Sequence, residues 1–369
     1  MKTKTLLVLF FYCLIFNVSA AIVPVVSGDN LQTKINAATA GDILIVGPGI
    51  YSGNISFNKK LTFFGPGYQR SSGGDAVLTG SWFWSQTGSD GSYISGFVMQ
   101  SFLMTSNNVT FIRNKVGNSI YLGSDGTSGY NTTGNKILQN YLCTDNVGVA
   151  DDNYVRIGTS GSFAQTNYLF KNNIVMTKII FAHANGSTGI FENNVFDPDS
   201  SNYSSPAYYN NAYRVFYGGI QGISFYNNIF KGKFPNANIA ADGMFGTALN
   251  TPLNFKRNIV DVLTNSVVLP PDNLVSTAQL FGGYPSNITG LNNGDGRVIL
   301  KPLSPAINYG RAAPYGNGDT PIDAGAFGGA QPYVLNGIPI GPYIYSMSVP
   351  PLAAASSVIP VTLKAKTNN

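Results

Sequence analysis

Phe111-Ile112-Arg113-Asn114-Lys115-Val116 opens a phrase that the chain repeats five more times. The other copies are Ile137-Leu138-Gln139-Asn140-Tyr141-Leu142, Phe170-Lys171-Asn172-Asn173-Ile174-Val175, Phe191-Glu192-Asn193-Asn194-Val195-Phe196, Phe225-Tyr226-Asn227-Asn228-Ile229-Phe230 and Phe255-Lys256-Arg257-Asn258-Ile259-Val260. An apolar residue stands three places before each asparagine and another two places after it. The asparagines lie 26, 33, 21, 34 and 30 residues apart, and repeats of this length mark a stacked architecture. Each copy reads as strand, turn, strand, because its apolar residues are β-branched or aromatic and suit a pleated, half-buried surface. Asparagine accepts the left-handed backbone of a tight turn, and its amide can bond neighbouring backbone. Asn114, Asn140, Asn173, Asn194, Asn228 and Asn258 are therefore expected to stack as a ladder at one corner. A single coil cannot bury its apolar face, whereas a stack of coils makes a continuous core.

This phrase resembles the repeat of right-handed parallel β-helix proteins, the architecture of pectate-lyase-like enzymes. The resemblance implies an all-β solenoid over residues 21–331, and says little about activity, because this scaffold hosts lyases, hydrolases, adhesins and structural proteins. An order of helix, Gly41-Asp42, the apolar strand Ile43 to Val46, then Pro48-Gly49-Ile50-Tyr51 is similar to the N-terminal cap of secreted β-helix proteins. Leu31, Ile35 and Ala38 share one face of that helix, with Asp29 or Asn30 as its cap. Leu303 to Gly310 and Asp323 to Gly329 resemble end-coil turns of secreted Bacteroidetes β-helix proteins. Residues 332–369 change composition, with six prolines and two alternating stretches, Tyr343 to Val349 and Val358 to Lys366, that read as a β tail.

Residues 1–20 read as a signal peptide. Lys2 and Lys4 precede the apolar run Leu6 to Phe16, and Val18-Ser19-Ala20 fits a small-residue cleavage site. The run is too short to span a bilayer. The expected location is therefore extracellular or cell-surface. Without Lys2 and Lys4 the formal net charge falls from +5 to +3, and no basic stripe with interleaved aromatics points to nucleic acid. Cys13 lies in the leader, so Cys143 has no intramolecular disulfide partner and reads as a small buried hydrophobe. A monomer is expected.

Substrates of β-helix enzymes lie along one strand face, so chemistry is sought on strands that follow the asparagine turns. Four candidates carry charge: Asp151 to Ile157, Lys178 to His183, Tyr213 to Tyr217 and Asp242 to Phe245. If Val155, Ile157 and Val215 point inward, Arg156 and Arg214 point outward. Tyr154, Arg156, Lys178, Arg214 and Tyr217 are the candidate binding residues for an extended glycan. A polysaccharide lyase acting on uronic acids needs a cation to neutralise the carboxylate and a base for the C5 proton. Arg156, Lys178, Arg214 and His183, the one histidine, are the candidates for that work. Asp151, Asp152 and Asp242 could supply oxygen ligands for Ca²⁺. Thr144-Asp145 and Asp151-Asp152 faintly resemble acidic motifs of polygalacturonase-like hydrolases, but that family's Gly-His-Gly and Arg-x-Lys are missing, and His183 stands between alanines. Trp82 and Trp84 alternate and share one face. Pointing outward they would be a sugar-stacking platform; pointing inward they would be core. With charged residues at only 11% and no complete catalytic motif, a glycan-binding or structural protein is favoured over a lyase.

Overall fold

The computed structural model describes residues 20–68, 74–142, 154–158, 162–176, 179–182, 184, 186–197, 216–218, 221–231, 253–260, 269–276, 278–282, 295–338, 341–348 and 362–368. Their strands stack into three parallel sheets, and from Ile43 to Phe230 the described strands visit these sheets in turn. Sheet 1 has ten strands, from Ile22–Val25 to Asn254–Lys256. Sheet 2 has ten, from Gly49–Tyr51 to Leu274–Val275, and sheet 3 has seven, from Ile55–Phe57 to Phe216–Gly218. The chain is a right-handed parallel β-helix with an N-terminal capping helix and a C-terminal β tail.

The inner row of sheet 1 runs Phe111, Ile137, Phe170, Phe191, Phe225, Phe255 in strict register. All six are buried. Phe170, Phe191, Phe225 and Phe255 follow one another at ring-centroid distances of 5.0, 5.1 and 5.9 Å, close to the spacing of neighbouring strands. Removing each ring from water contributes roughly 1.5–3 kcal/mol, so this row is a main source of cohesion between coils.

At the corner between sheets 1 and 2 the asparagines form a continuous rail. The backbone N–H of Asn114 donates to Oδ1 of Asn140 at 2.9 Å, and the same bond links Asn140 to Asn173, Asn173 to Asn194, Asn194 to Asn228 and Asn228 to Asn258. Their Nδ2 groups donate along the rail and to backbone carbonyls, as from Asn140 to Phe111 O and from Asn194 to Phe170 O. The rail extends one step further than the repeated phrase, to Asn273, which accepts from the N–H of Asn258. One expectation needs correcting. The left-handed residue of the turn is not the ladder asparagine but the residue before it: Arg113, Gln139, Asn172, Asn193, Asn227 and Arg257 all have φ between 53° and 58°. Turning the backbone one residue early leaves the ladder amide free to point into the stack, and sends the preceding side chain outward.

Those outward side chains hold a second structure. Residues 303–338 run back along the flank, from the last coils toward the first. Asn227 Nδ2 donates to Arg311 O, Asn193 Nδ2 to Asp323 O, and Asn172 Nδ2 to both Ala326 O and Gly328 O. Gln139 Nε2 donates to Gln331 O, and an Arg113 guanidinium nitrogen to Ile338 O. Leu303 to Gly310 and Asp323 to Gly329 thus belong to a strap and are not end-coil turns. The physical reason lies on sheet 2, whose outward row of Tyr141, Ile174, Val195, Ile229 and Ile259 is apolar and needs a cover. It packs with Leu280, Phe281, Val298, Ala306, Ala324, Ala326 and Tyr333 in a core of its own outside the solenoid. Gly325 is required there, since a Cβ would lie 2.7 Å from Ile229 Cδ1 and its φ is +87°. The strap is locked near its end by a buried cluster: Tyr333 Oη donates to Asp295 Oδ2 at 2.8 Å, bonds the Tyr68 hydroxyl, and lies beside Asn336, whose N–H also donates to Asp295.

Helix α1 (Leu31–Ala37) covers the open end of the first coil, with Leu31 and Ile35 buried and Asn30 accepting from the N–H of Thr33 as its cap. Gln32 pins it by bonding both the N–H and the carbonyl of Ser56. At the other terminus Gly341–Ser348 and Thr362–Asn368 pair as an antiparallel hairpin. Among the described residues no helix is long and apolar enough to cross a membrane.

Candidate functional site

Sheet 3 alternates cleanly. Phe83, Phe102, Ile120 and Val155 point into the core, so the residue after each points out. Register places those outward residues in one line, Ser56, Trp84, Leu103, Tyr121 and Arg156, and the backbone positions of Ile180 and Tyr217 continue its register. A parallel line two residues earlier on the strands holds Asn54, Trp82, Ser101, Ser119 and Tyr154, by extension of the same register.

The aromatic members are held in place. Trp84 Nε1 donates to Thr105 Oγ1 at 3.1 Å, and that hydroxyl donates to Ser85 O at 3.2 Å. Leu103, flanked in register by Trp84 and Tyr121, is only 6% exposed although it faces outward. Tyr121 and Tyr154 meet edge to face at 5.6 Å, with the Tyr121 hydroxyl donating to that of Tyr154 at 3.3 Å. Burial, then that hydrogen bond, holds the Tyr121 hydroxyl well above the ordinary range for tyrosine, so it stays protonated. Arg156 Nε donates to Gly158 O at 3.2 Å, which aims the side chain along the strand. Residues 123–131 form a tight loop beside this face. Asp125 accepts from the N–H groups of Thr127 and Ser128 and from the Tyr130 hydroxyl. Burial acts to raise the Asp125 pKa, but these bonds outweigh it and leave the carboxyl below its usual value.

Of the residues singled out from sequence, Arg156 and Tyr154 stand on this face, half-buried. Tyr217 shares the line of Arg156 by backbone register, with Ile180 between them. The strand phase there differs from expectation: Phe216, not Val215, is level with Val155 and Ile179. Asp151, Asp152, Lys178, His183, Arg214, Asp242 and Cys143 lie outside the described residues, as does the leader before Ala20. Among the described residues no three of His, Cys, Asp or Glu come together in a way that could hold a metal ion. The candidate site gains two residues. Tyr121 stands in no repeat phrase, and its signal is the alternation of Ile120-Tyr121-Leu122. The alternation of Trp82 and Trp84 shows in the sequence, but their alignment with Arg156 three strands on needs the register.

No family model matches the chain, and no curated protein matches it. Among solved structures, the crystal structure of pectate lyase Pel9A is similar, with a TM-score of 0.44 and 15% identity, covering 84% of this chain and 97% of that one.

Proposed function

We propose that this chain is exported and holds an extended acidic polysaccharide along the outward face of sheet 3. The observation that carries the reading is Arg156 in register after Tyr121, with Tyr154 bonded beside them; the backbone of Ile180 and Tyr217 continues the register. Guanidinium and phenol groups in one line suit a uronic-acid chain, the first through charged hydrogen bonds and the second through ring stacking and hydroxyl bonds. Strands spaced about 4.8 Å apart repeat such contacts along a repeating polymer, so weak contacts add. Lys178 joins the proposal by its place in the sequence, two residues before Ile180. The leader read from Lys2 to Ala20 supports export, and mature protein beginning at Ala21 is the corresponding expectation.

The test is affinity electrophoresis through gels containing polygalacturonate at moderate salt. Arg156→Ala is expected to weaken retention about ten- to hundredfold, the size of losing one charged hydrogen bond of roughly 1.5–3 kcal/mol. Unchanged retention would remove the reading. The same preparations, incubated with uronic-acid polymers and followed at the absorbance of the unsaturated product, decide whether the face binds only or also cleaves.

A further inference from the structure

We infer that the face on sheet 3 is built for a mixed polysaccharide, one that alternates neutral and acidic sugars, and that Trp84, with Trp82 beside it, takes the neutral ones. The inference rests on the glycan reading above and narrows its substrate class. It comes from how charge is distributed along the face. Over the first four coils of sheet 3 the outward line is Ser56, Trp84, Leu103 and Tyr121, and its neighbour is Asn54, Trp82, Ser101 and Ser119. None of these eight carries a charge. The line on the far side, Gln86, Thr105 and Gly123, carries none either. The cation comes one strand further on, at Arg156.

An acidic homopolymer laid along this face would set several carboxylates over half-buried aromatic rings with no cation within reach. Stripping water from an unpaired carboxylate is costly. A neutral pyranose reverses that balance, because its C–H face buries against an indole and its hydroxyls reach the serines that flank the rings. Trp82 is 41% exposed and Trp84 half-buried, so both offer ring surface. The bond from Trp84 to Thr105 fixes the ring before any ligand arrives, which lowers the entropy lost on binding. Three strand spacings, roughly 14 Å, separate Trp84 from Arg156. One short oligosaccharide therefore reaches both.

The chain has only two tryptophans, and both stand on this face. Tryptophan emission, excited selectively over the chain's 21 tyrosines, is thus a reporter of this surface. The experiment titrates full-length mature protein with two sets of polymers: hyaluronan, xanthan and rhamnogalacturonan, which mix acidic with neutral sugars, and polygalacturonate and alginate, which are acidic throughout. At least one mixed polymer is expected to bind about tenfold more tightly than either homopolymer and to shift or quench the emission. Trp84→Ala should weaken binding of that mixed polymer by a larger factor than it weakens the salt-sensitive retention on polygalacturonate. Arg156→Ala should weaken both sets. Trp84→Phe, which keeps a ring, should recover most of the advantage, and this separates stacking from a folding defect. Equal affinity for the two sets, or tight binding with unchanged emission and an intact Arg156 effect, would overturn the inference and leave the glycan reading standing. Failure of every polymer to bind, or binding insensitive to Arg156→Ala, would overturn the glycan reading itself and the inference with it.

Discussion

On sheet 2 the outward line runs Tyr141, Ile174, Val195, Ile229, Ile259, and each of these is 3% exposed or less. On sheet 3 it runs Trp84, Leu103, Tyr121, Arg156, and three of the four are half-buried. The two lines belong to the same winding chain and face outward by the same alternation. The first is apolar and mostly aliphatic and is roofed by residues 303–338 together with Leu280, Phe281 and Val298; the second mixes rings, a cation and hydroxyls. An outward line of aliphatic side chains is stable only under a cover, and this chain supplies that cover from its own C-terminal part. A line of anchored aromatics beside an arginine can stand in water, because each polar tip keeps a hydrogen bond there. The chemistry of an outward row therefore separates a surface covered by the protein's own chain from one that stays partly open to water.

The largest test of that contrast substitutes one residue on each face. Ile229→Ala empties a fully buried site between the solenoid and the strap, and is expected to cost about 2–5 kcal/mol. The strap should then become the first segment cut by a protease, within 303–338. Trp84→Ala, though it removes the larger side chain, should cost less, because a half-buried ring leaves part of its surface in water in either case. Equal losses of melting temperature would mean that the two faces are equally roofed.

A smaller effect is expected at the rungs that tie the strap to the turns. Asn172 Nδ2 donates to Ala326 O and Gly328 O, both at 2.8 Å, in a buried site. Asn172→Ala leaves these carbonyls without that donor and also places alanine at φ 54°, where asparagine is tolerated far better. A loss of about 1–3 kcal/mol follows from the unpaired groups. Asn172→Gly, which removes the same donor but accepts the backbone, should lose less, and the difference measures the strain. Identical losses would assign the whole effect to the hydrogen bonds.

These rungs also show where the sequence could be read and where it could not. The six phrases disclose the rail and the phenylalanine row, because both repeat within each coil at fixed offsets from the asparagine. The strap does not repeat. Arg113, Gln139, Asn172, Asn193, Asn227 and Arg257 occupy one position of the phrase yet share no side-chain chemistry beyond a donor group, so periodicity passes over them. Arg257 bonds the side-chain oxygen of Asn317, and the strap partners of the other five are backbone carbonyls 84 to 225 residues away, which leave no mark in the sequence. The candidate site was half legible for a similar reason. Arg156 and Tyr154 announce themselves as scarce charge and ring on one strand, whereas their alignment with Trp84 depends on coil lengths that vary from 21 to 34 residues.

The mildest test uses pH on the roofed face alone. Asp295 is buried under the strap, and burial is the main cause that raises its carboxyl above the ordinary value of 3.8. Hydrogen bonds from Asn336 N–H and the tyrosine hydroxyls act in the opposite direction and offset part of that rise. A carboxyl with a raised folded pKa favours the protonated form. Its contribution to stability is fully present below the unfolded value and is lost as the pH climbs through the folded one. Asp29, Asp42 and Asp125 shift the other way, each held low mainly by backbone hydrogen bonds or held low despite burial, so their help is lost as the pH falls. The net profile of the wild type therefore mixes both signs, and the informative quantity is its difference from Asp295→Asn. Asparagine keeps an oxygen to accept from Tyr333 and from the N–H of Asn336 but never carries the charge. Relative to the wild type, the variant should gain stability as the pH rises from 4 to 8, and its strap should be cut more slowly at pH 8. A difference that stays flat across this range would show that the buried carboxyl titrates as it does in the unfolded chain. A difference of opposite sign would show that the tyrosine and backbone donors outweigh burial.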